Sequence, residues 1–223
     1  MSNNIEDKKG NYEVVRNILS SRYQEVNGYD FYRYIFPDNQ NVGELSGNYS
    51  KPNAIYLYRD EEEDPDRTYR RRIMLNDTWE DDYMNYVECN HKTLCSGLAY
   101  RDKKNRLENA QQMNALVFDL DSVGENELEN LLLRMSKKPG LRTLPEPTFI
   151  VMSGTGLHIY YVFDRPVALY PNIKLQMKAL KYDLTFKMWE YKATSKEKQI
   201  QYQSINQGFR MVGSINDKYN LPV

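Results

Sequence analysis

The sequence holds only two cysteines, Cys89 and Cys95, and only two histidines, His91 and His158. So little cysteine fits a reduced, cytoplasmic protein and not a disulfide-stapled one. Cys89, His91 and Cys95 form an incomplete zinc pattern, because structural zinc is usually held by four ligands. Two histidines far apart in the chain cannot build the His-x-His metal site of a rolling-circle nickase. No apolar stretch approaches the ~20 residues that a membrane helix needs. The polar start Met1-Ser2-Asn3-Asn4 does not resemble a targeting segment either, so no membrane partner is expected. An excess of one charge is also lacking: 30 basic and 31 acidic side chains leave a net charge of -1. Any preference for nucleic acid must therefore come from how the charges are distributed. There is no G-x-x-x-x-G-K-[ST] segment, so no P-loop ATPase lies within this stretch, and no nucleophile elbow to support a Ser/His/Asp triad. Internal repeats, low-complexity tracts and Gly/Ser- or Pro-rich linkers are absent as well.

The charges that are present are segregated. Asp60-Glu61-Glu62-Glu63-Asp64-Pro65-Asp66 is an acidic run, best read as a solvated loop, and Arg67, Arg70, Arg71 and Arg72 follow it at once. Arg101, Lys103, Lys104 and Arg106 make a second basic cluster. Nineteen tyrosines stand beside seven phenylalanines and two tryptophans, a supply of amphipathic rings that serves core edges more often than base stacking. At 223 residues the chain is long enough for one compact unit, or two small packed lobes, without a covalent staple.

Apolar spacing predicts a helix from Glu13 to Tyr34, ending before Pro37, and strands at Ala54–Tyr58 and Arg72–Leu75. Asp77-Thr78-Trp79-Glu80 has the composition that opens a helix, expected to run to about Tyr86. A strand is expected over 114–121. A helix from Gly124 follows, with Leu128, Leu131, Leu132 and Met135 on one stripe and a stop at Lys137-Lys138-Pro139-Gly140. A hairpin should join strands 148–152 and 157–163, a long helix should run from Pro171 to about Lys192, and Phe209–Asn216 should be extended up to its glycine. From residue 114 the order is strand, helix, strand, strand, helix, strand, the split βαβ arrangement of an RRM-like or ferredoxin-like palm. The fold class expected is α+β: an N-terminal α/β lobe over 1–110 against a palm with a mixed or antiparallel sheet over 111–223.

Chemistry concentrates in three places. Phe118-Asp119-Leu120-Asp121 ends an apolar strand in two carboxylates at i and i+2, which the period of two aims at one face. Two crowded negative charges are costly unless a cation lies between them or both reach water. Hard carboxylate oxygens of this kind suit Mg2+ or Mn2+ and leave positions open for phosphates. Ser153-Gly154-Thr155-Gly156-Leu157-His158 sets a glycine turn, whose backbone N–H groups can cradle an anion, beside an imidazole. Arg210-Met211-Val212-Gly213-Ser214-Ile215-Asn216-Asp217-Lys218 offers Arg210, Asn216 and Lys218 to phosphate or ribose.

Together the three segments resemble the archaeo-eukaryotic primase superfamily, in the primase-polymerase branch of plasmid, phage and integrative-element replication proteins. Its D-x-D metal strand is similar to Asp119-Leu120-Asp121, and its Ser/Gly-x-His nucleotide motif to residues 153–158 with the Tyr160-Tyr161 tail. Its R-x-x-G-[ST]-x-N-x-K signature is similar to Arg210 through Lys218. The resemblance covers about residues 95–220. It implies a primase or DNA polymerase in which Asp119 and Asp121 bind Mg2+ or Mn2+. Ser153, Gly154, Thr155, Gly156, His158, Arg210, Asn216 and Lys218 would hold an NTP or dNTP. It also implies a single-stranded DNA template and, on a longer replication protein from which this domain would come, a helicase or other domains. One departure stands out: where such proteins place a third metal-binding acid, this chain reads Lys198-Gln199-Ile200-Gln201-Tyr202-Gln203. Asp183, Glu197 and Asp217 are candidate substitutes. Without a third acid, a primase-like binding module that has lost turnover is the chief alternative. A haloacid-dehalogenase-like phosphatase, with Asp119 as nucleophile and Asp121 as acid, is a lesser one, since no paired-acid motif follows.

Overall fold

A computed structural model describes residues 2–37, 53–59, 71–74, 83–89, 91–101, 104–136, 140 and 143–223. In chain order the elements are α1 (Ser2–Ser20), α2 (Gly28–Ile35), β1 (Asn53–Arg59), β2 (Arg71–Met74), a π-helical turn (Met84–Glu88), β3 (Lys92–Tyr100) and β4 (Ala110–Leu120). There follow α3 (Glu125–Met135), β5 (Phe149–Met152), β6 (Leu157–Ala168), α4 (Pro171–Met188), β7 (Phe209–Arg210), β8 (Ile215–Asn216) and β9 (Leu221–Pro222). Among the described residues, seven strands build one antiparallel sheet in the order β2-β1-β3-β4-β6-β5, continuous across residue 110, with β7 added to β3, while β8 and β9 pair in a separate two-stranded sheet. The result is a mixed α+β fold. No helix among the described residues is long and apolar enough to cross a membrane.

Alternation along β4 sorts its side chains between two cores. Leu116, Phe118 and Leu120 pack with Leu128 and Leu131 of α3 and Met177 and Met188 of α4. Ala115 and Val117 face the opposite way, into an aromatic cluster with Phe31 and Tyr32 of α2, Tyr160 of β6 and Phe209 of β7. Asp119 continues the second series. Thus the strand that the apolar run predicts fixes the face that carries Asp119, while Asp121, expected to be its last residue, lies just past its end at Leu120.

Several elements depart from the sequence-based expectation. The helix expected over 13–34 is two helices: Asn27 caps α2 by accepting a 2.8 Å bond from Asp30 N, and Gly28 approaches Tyr83 so closely that a Cβ would lie 1.9 Å from its hydroxyl oxygen. The long helix stops at Met188, not Lys192, where the Thr194 hydroxyl bonds to Met188 O and accepts from Glu190 N. In the last segment only Phe209–Arg210 pairs with the main sheet, and Ile215–Asn216 turns away to pair with Leu221–Pro222. The expected helix start at Asp77–Glu80, the acidic run 60–66 and the Lys137–Pro139 stop lie outside the described residues.

β3 has no counterpart in the sequence reading. Its Thr93, Ser96 and Gly97 hide the strand signal, yet Ser96 shares a 2.8 Å hydrogen bond with Tyr100, and at Gly97 a Cβ would lie 2.2 Å from Ala115 O. β3 pairs with β4 only over Leu98–Tyr100, and its first half takes β7 instead, at Leu94↔Arg210 and Cys95↔Phe209. This divergence brings β7 and its arginine toward the carboxylate end of β4.

Candidate active site

Asp119 stands directly opposite His158 in the β4–β6 ladder, and His158 opposite Val151 in the β5–β6 hairpin. Its carboxylate Oδ1 lies 3.7 Å from His158 Nε2, too far for a good hydrogen bond. Burial pushes the His158 pKa down to about 4, and the nearby Arg210 charge adds to this against the opposing pull of Asp121. The imidazole is therefore neutral at pH 7, and its contact with Asp119 is not an ion pair. Its Nδ1 is buried without a hydrogen-bond partner among the described residues. The ring lies 5.1 Å from that of Phe209, which holds it from the β7 side.

Burial pushes the Asp119 carboxyl up to about 6, opposed by the positive charge of Lys181. Asp121 is also raised, first by burial and then by the charge of Asp119, while a hydrogen bond from Gln201 opposes the shift. Two half-buried carboxylates, both raised by burial and the second raised further by the charge of the first, make a site that gains from a cation. Among the described residues no third His, Cys, Asp or Glu joins them in a cluster. The donor set fits Mg2+ or Mn2+, which commonly bind through one or two carboxylates and complete their shell with water and substrate phosphates. Of the candidate third acids, Glu197 acts on Asp121 and accepts a 2.8 Å bond from Ser122. Asp217 lies 3.3 Å from the Arg210 guanidinium, and Asp183 is exposed on α4.

The glycine turn is locked to the end of β4. Ser153 N donates to Gly156 O at 2.9 Å, Val123 N donates to Thr155 O at 3.1 Å, and Gly154 adopts φ 103°. At Gly156 a Cβ would lie 2.2 Å from Leu120 O, between the two aspartates. Gly156→Ala is therefore expected to cost about 2 kcal/mol in urea melts, because the clash is with backbone and no flexible side chain can yield. Asn216 closes the turn from the other side, donating from Nδ2 to Ser153 O at 2.8 Å. Arg210 Nη1 donates to Ile215 O at 2.6 Å, which fixes the guanidinium beside the same end of the sheet. The Lys218 ammonium lies at the exposed rim, 5.1 Å from the centre of the Tyr219 ring.

All three sequence motifs thus meet at one end of the sheet. Two residues close to the carboxylates belong to none of the three motifs: Gln201, within the glutamine window, and Lys181, which is 1% exposed. The available signal for Lys181 was its place on the buried stripe of α4, with Met177 and Thr185. Of the basic residues proposed to track a template, Arg101 and Lys104 are exposed and Arg106 lies 3.5 Å from Glu108. Arg67 and Arg70 lie outside the described residues. Cys95 is buried on β3, its thiol pushed up by burial, and Cys89 is exposed. A cavity of about 270 Å3 opens between residues 20–26 and the outer edge of β5, lined by Tyr12, Tyr23, Phe149 and Ile150 among others. Neither aspartate lines it.

The fold and the site define an antiparallel α+β scaffold with paired carboxylates, an imidazole and a glycine turn at one end. Among solved structures, the chain is similar to the AEP domain of the cyanophage S-2L primase-polymerase. The match has a TM-score of 0.51 and 11% identity, covering 87% of this chain and 85% of that one. The two share a fold. No family model matches the sequence, and no curated protein matches it.

Proposed function

We propose that this chain is a metal-dependent, template-directed nucleotidyl transferase, a primase-polymerase that starts or extends a DNA chain in replication of a mobile element. The observation that carries this reading is the meeting of Asp119, Asp121, His158, the 153–156 turn and Arg210 at one end of an antiparallel sheet. The likeness to a primase-polymerase domain supports it at the level of fold. In this reading residues 111–223 form an RRM-like palm built on β4, α3, β5, β6, α4 and β7, and residues 1–110 a second α/β lobe against it.

Asp119 and Asp121 would hold Mg2+ or Mn2+. When bound, such an ion supplies the positive charge that activates an attacking 3′-hydroxyl and clamps the triphosphate for in-line displacement, with pyrophosphate leaving. The chain's own groups bind and orient. The neutral His158 would donate an N–H to a phosphate oxygen, the backbone N–H groups of 153–156 would cradle the anion, and Arg210 would add a charged fork. Asn216, by bonding to Ser153 O, holds the turn in its anion-binding shape, and Lys218 at the rim would meet phosphate or ribose. Exposed Arg101 and Lys104 are proposed template contacts, which makes binding to single-stranded DNA salt-dependent. His158→Gln is expected to raise the nucleotide KM by roughly tenfold, the size of one lost charge-assisted hydrogen bond. Steady-state kinetics with varied nucleotide read it directly.

Gln201 against Asp121, where the superfamily's third acid would fall, favours a second reading: a primase-like module that binds nucleotide or DNA without turnover. The test is incorporation of labelled NTP or dNTP on primed and unprimed single-stranded DNA, with Mg2+ or Mn2+. Metal-dependent products support the transferase. Binding of template and nucleotide without products supports the module, and hydrolysis of a generic phosphomonoester supports a phosphatase.

A further inference from the structure

The buried stripe of α4 places a lysine where a core side chain is expected. Lys181 is 1% exposed, and its ammonium donates to Ser204 O at 2.9 Å. An ammonium carries three donors, and no second hydrogen bond from it is made among the described residues. Its Nζ lies 5.4 Å from the centre of the Phe209 ring, whose other neighbour is the His158 ring at 5.1 Å. The charge thus reaches the carboxylate end of β4 from the α4 side. It lowers the proton affinity of Asp119, and Asp119 in turn raises that of Lys181, against the burial that brings the lysine down to about 8. Yet no direct ion pair joins the two among the described residues, so the Asp119 oxygens stay available to another ligand. Burying an unpaired ammonium is costly, and a lone bond to a carbonyl is poor compensation. A core position filled this way points to a use for the charge.

We propose that Lys181 is a fixed cation built into the carboxylate site, which supplies the positive charge that a third acid and a second metal ion would otherwise bring. The inference rests on the metal-binding reading of Asp119 and Asp121. Charge balance motivates it: two carboxylates, one ammonium and one divalent ion carry the same net charge as three carboxylates and two divalent ions. Gln201, uncharged beside Asp121, completes the match. Lys181 is a positioning residue here. It acts on the ion and its ligands through space, and it leaves Asp119 free to coordinate.

The test measures binding of Mn2+ alone to the full chain at pH 7.5, by the electron paramagnetic resonance of the free ion. The wild type should bind one Mn2+ per chain, and Asp119→Asn/Asp121→Asn should abolish binding. Lys181→Met removes the charge and suits the apolar stripe, while Lys181→Gln keeps a donor for Ser204 O. Both should bind Mn2+ about tenfold more tightly or better, because a unit positive charge near a divalent ion is removed from a poorly screened site. Lys181→Arg, which keeps the charge, should stay near the wild type. A lysine whose charge does not reach the bound ion would leave the affinity unchanged in folded Met and Gln variants. That result, or weaker binding, overturns the inference and leaves the metal reading intact. Absence of Mn2+ binding in the wild type and in both neutral variants overturns the two together.

Discussion

Asp119→Asn/Asp121→Asn is expected to lower templated nucleotide incorporation about 10³-fold or more, which corresponds to ~4 kcal/mol of transition-state stabilisation. The reason lies in where the two groups sit. Asp119 sits near the end of β4 and Asp121 just past it, burial raises the proton affinity of both, and the charge of Asp119 raises that of Asp121 further. Asparagine keeps the shape and removes the charge that makes the site attractive to a divalent ion. The fold should survive, since the change relieves repulsion between buried carboxylates and leaves Phe118 and Leu120 in the opposite core. Loss of incorporation with an undiminished melting transition is the signature expected. A loss that tracks unfolding would assign the pair a structural role.

Stability against pH should separate Asp119 from His158 by sign. Asp119 has its folded pKa raised from 3.8 to about 6, so its ionisation opposes folding. Its stabilising contribution is complete below its unfolded pKa and is lost as pH rises through about 6. The size is about 3 kcal/mol, from the free-energy equivalent of a pKa shift. His158 has its folded pKa lowered from 6.5 to about 4, so its contribution is present above 6.5 and is lost as pH falls through about 4. Its size is also about 3 kcal/mol. Between pH 4 and 6 the two trends oppose each other in the wild type. In metal-free urea melts, the stability of Asp119→Asn relative to wild type should grow as pH rises from 4 to 6. That of His158→Gln relative to wild type should be greatest near pH 4 and shrink toward 6.5. Parallel curves for all three proteins would mean that neither group titrates as its burial requires. Saturating Mn2+ should raise the wild-type curve by RT ln(1 + [L]/Kd), about 2.7 kcal/mol at a hundredfold excess over Kd, and leave Asp119→Asn unmoved.

The parts of this site that were legible in the sequence are those whose chemistry and period coincide. An apolar run ending in Asp119-Leu120-Asp121 can place its acids on only one face, and the Ser153–His158 turn carries its glycines at the positions that need them. The hairpin of β5 and β6 and the stripe of α3 were readable for the same reason. β3 was not, because Thr93, Ser96 and Gly97 answer to close strand packing and not to a hydrophobic pattern. The break between α1 and α2 depends on Asn27 acting as a cap and on Gly28 meeting Tyr83, a tertiary contact that local spacing does not encode. Lys181 was hidden by its type: a lysine in an amphipathic helix is normally counted to the solvent face, and only its position on the stripe with Met177 and Met188 marks it as buried. The glutamine window was visible as an absence of acid, while the contact of Gln201 with Asp121 needed the fold.

The most direct measurement is pyrophosphate release from each of the four nucleotides in turn on homopolymer single-stranded DNA templates, primed and unprimed, with Mn2+. Template-directed nucleotidyl transfer predicts one pyrophosphate per nucleotide added, only from the nucleotide complementary to the template, and none from Asp119→Asn/Asp121→Asn. Release that ignores the template base, or no release from a wild-type protein that binds both template and nucleotide, would contradict it.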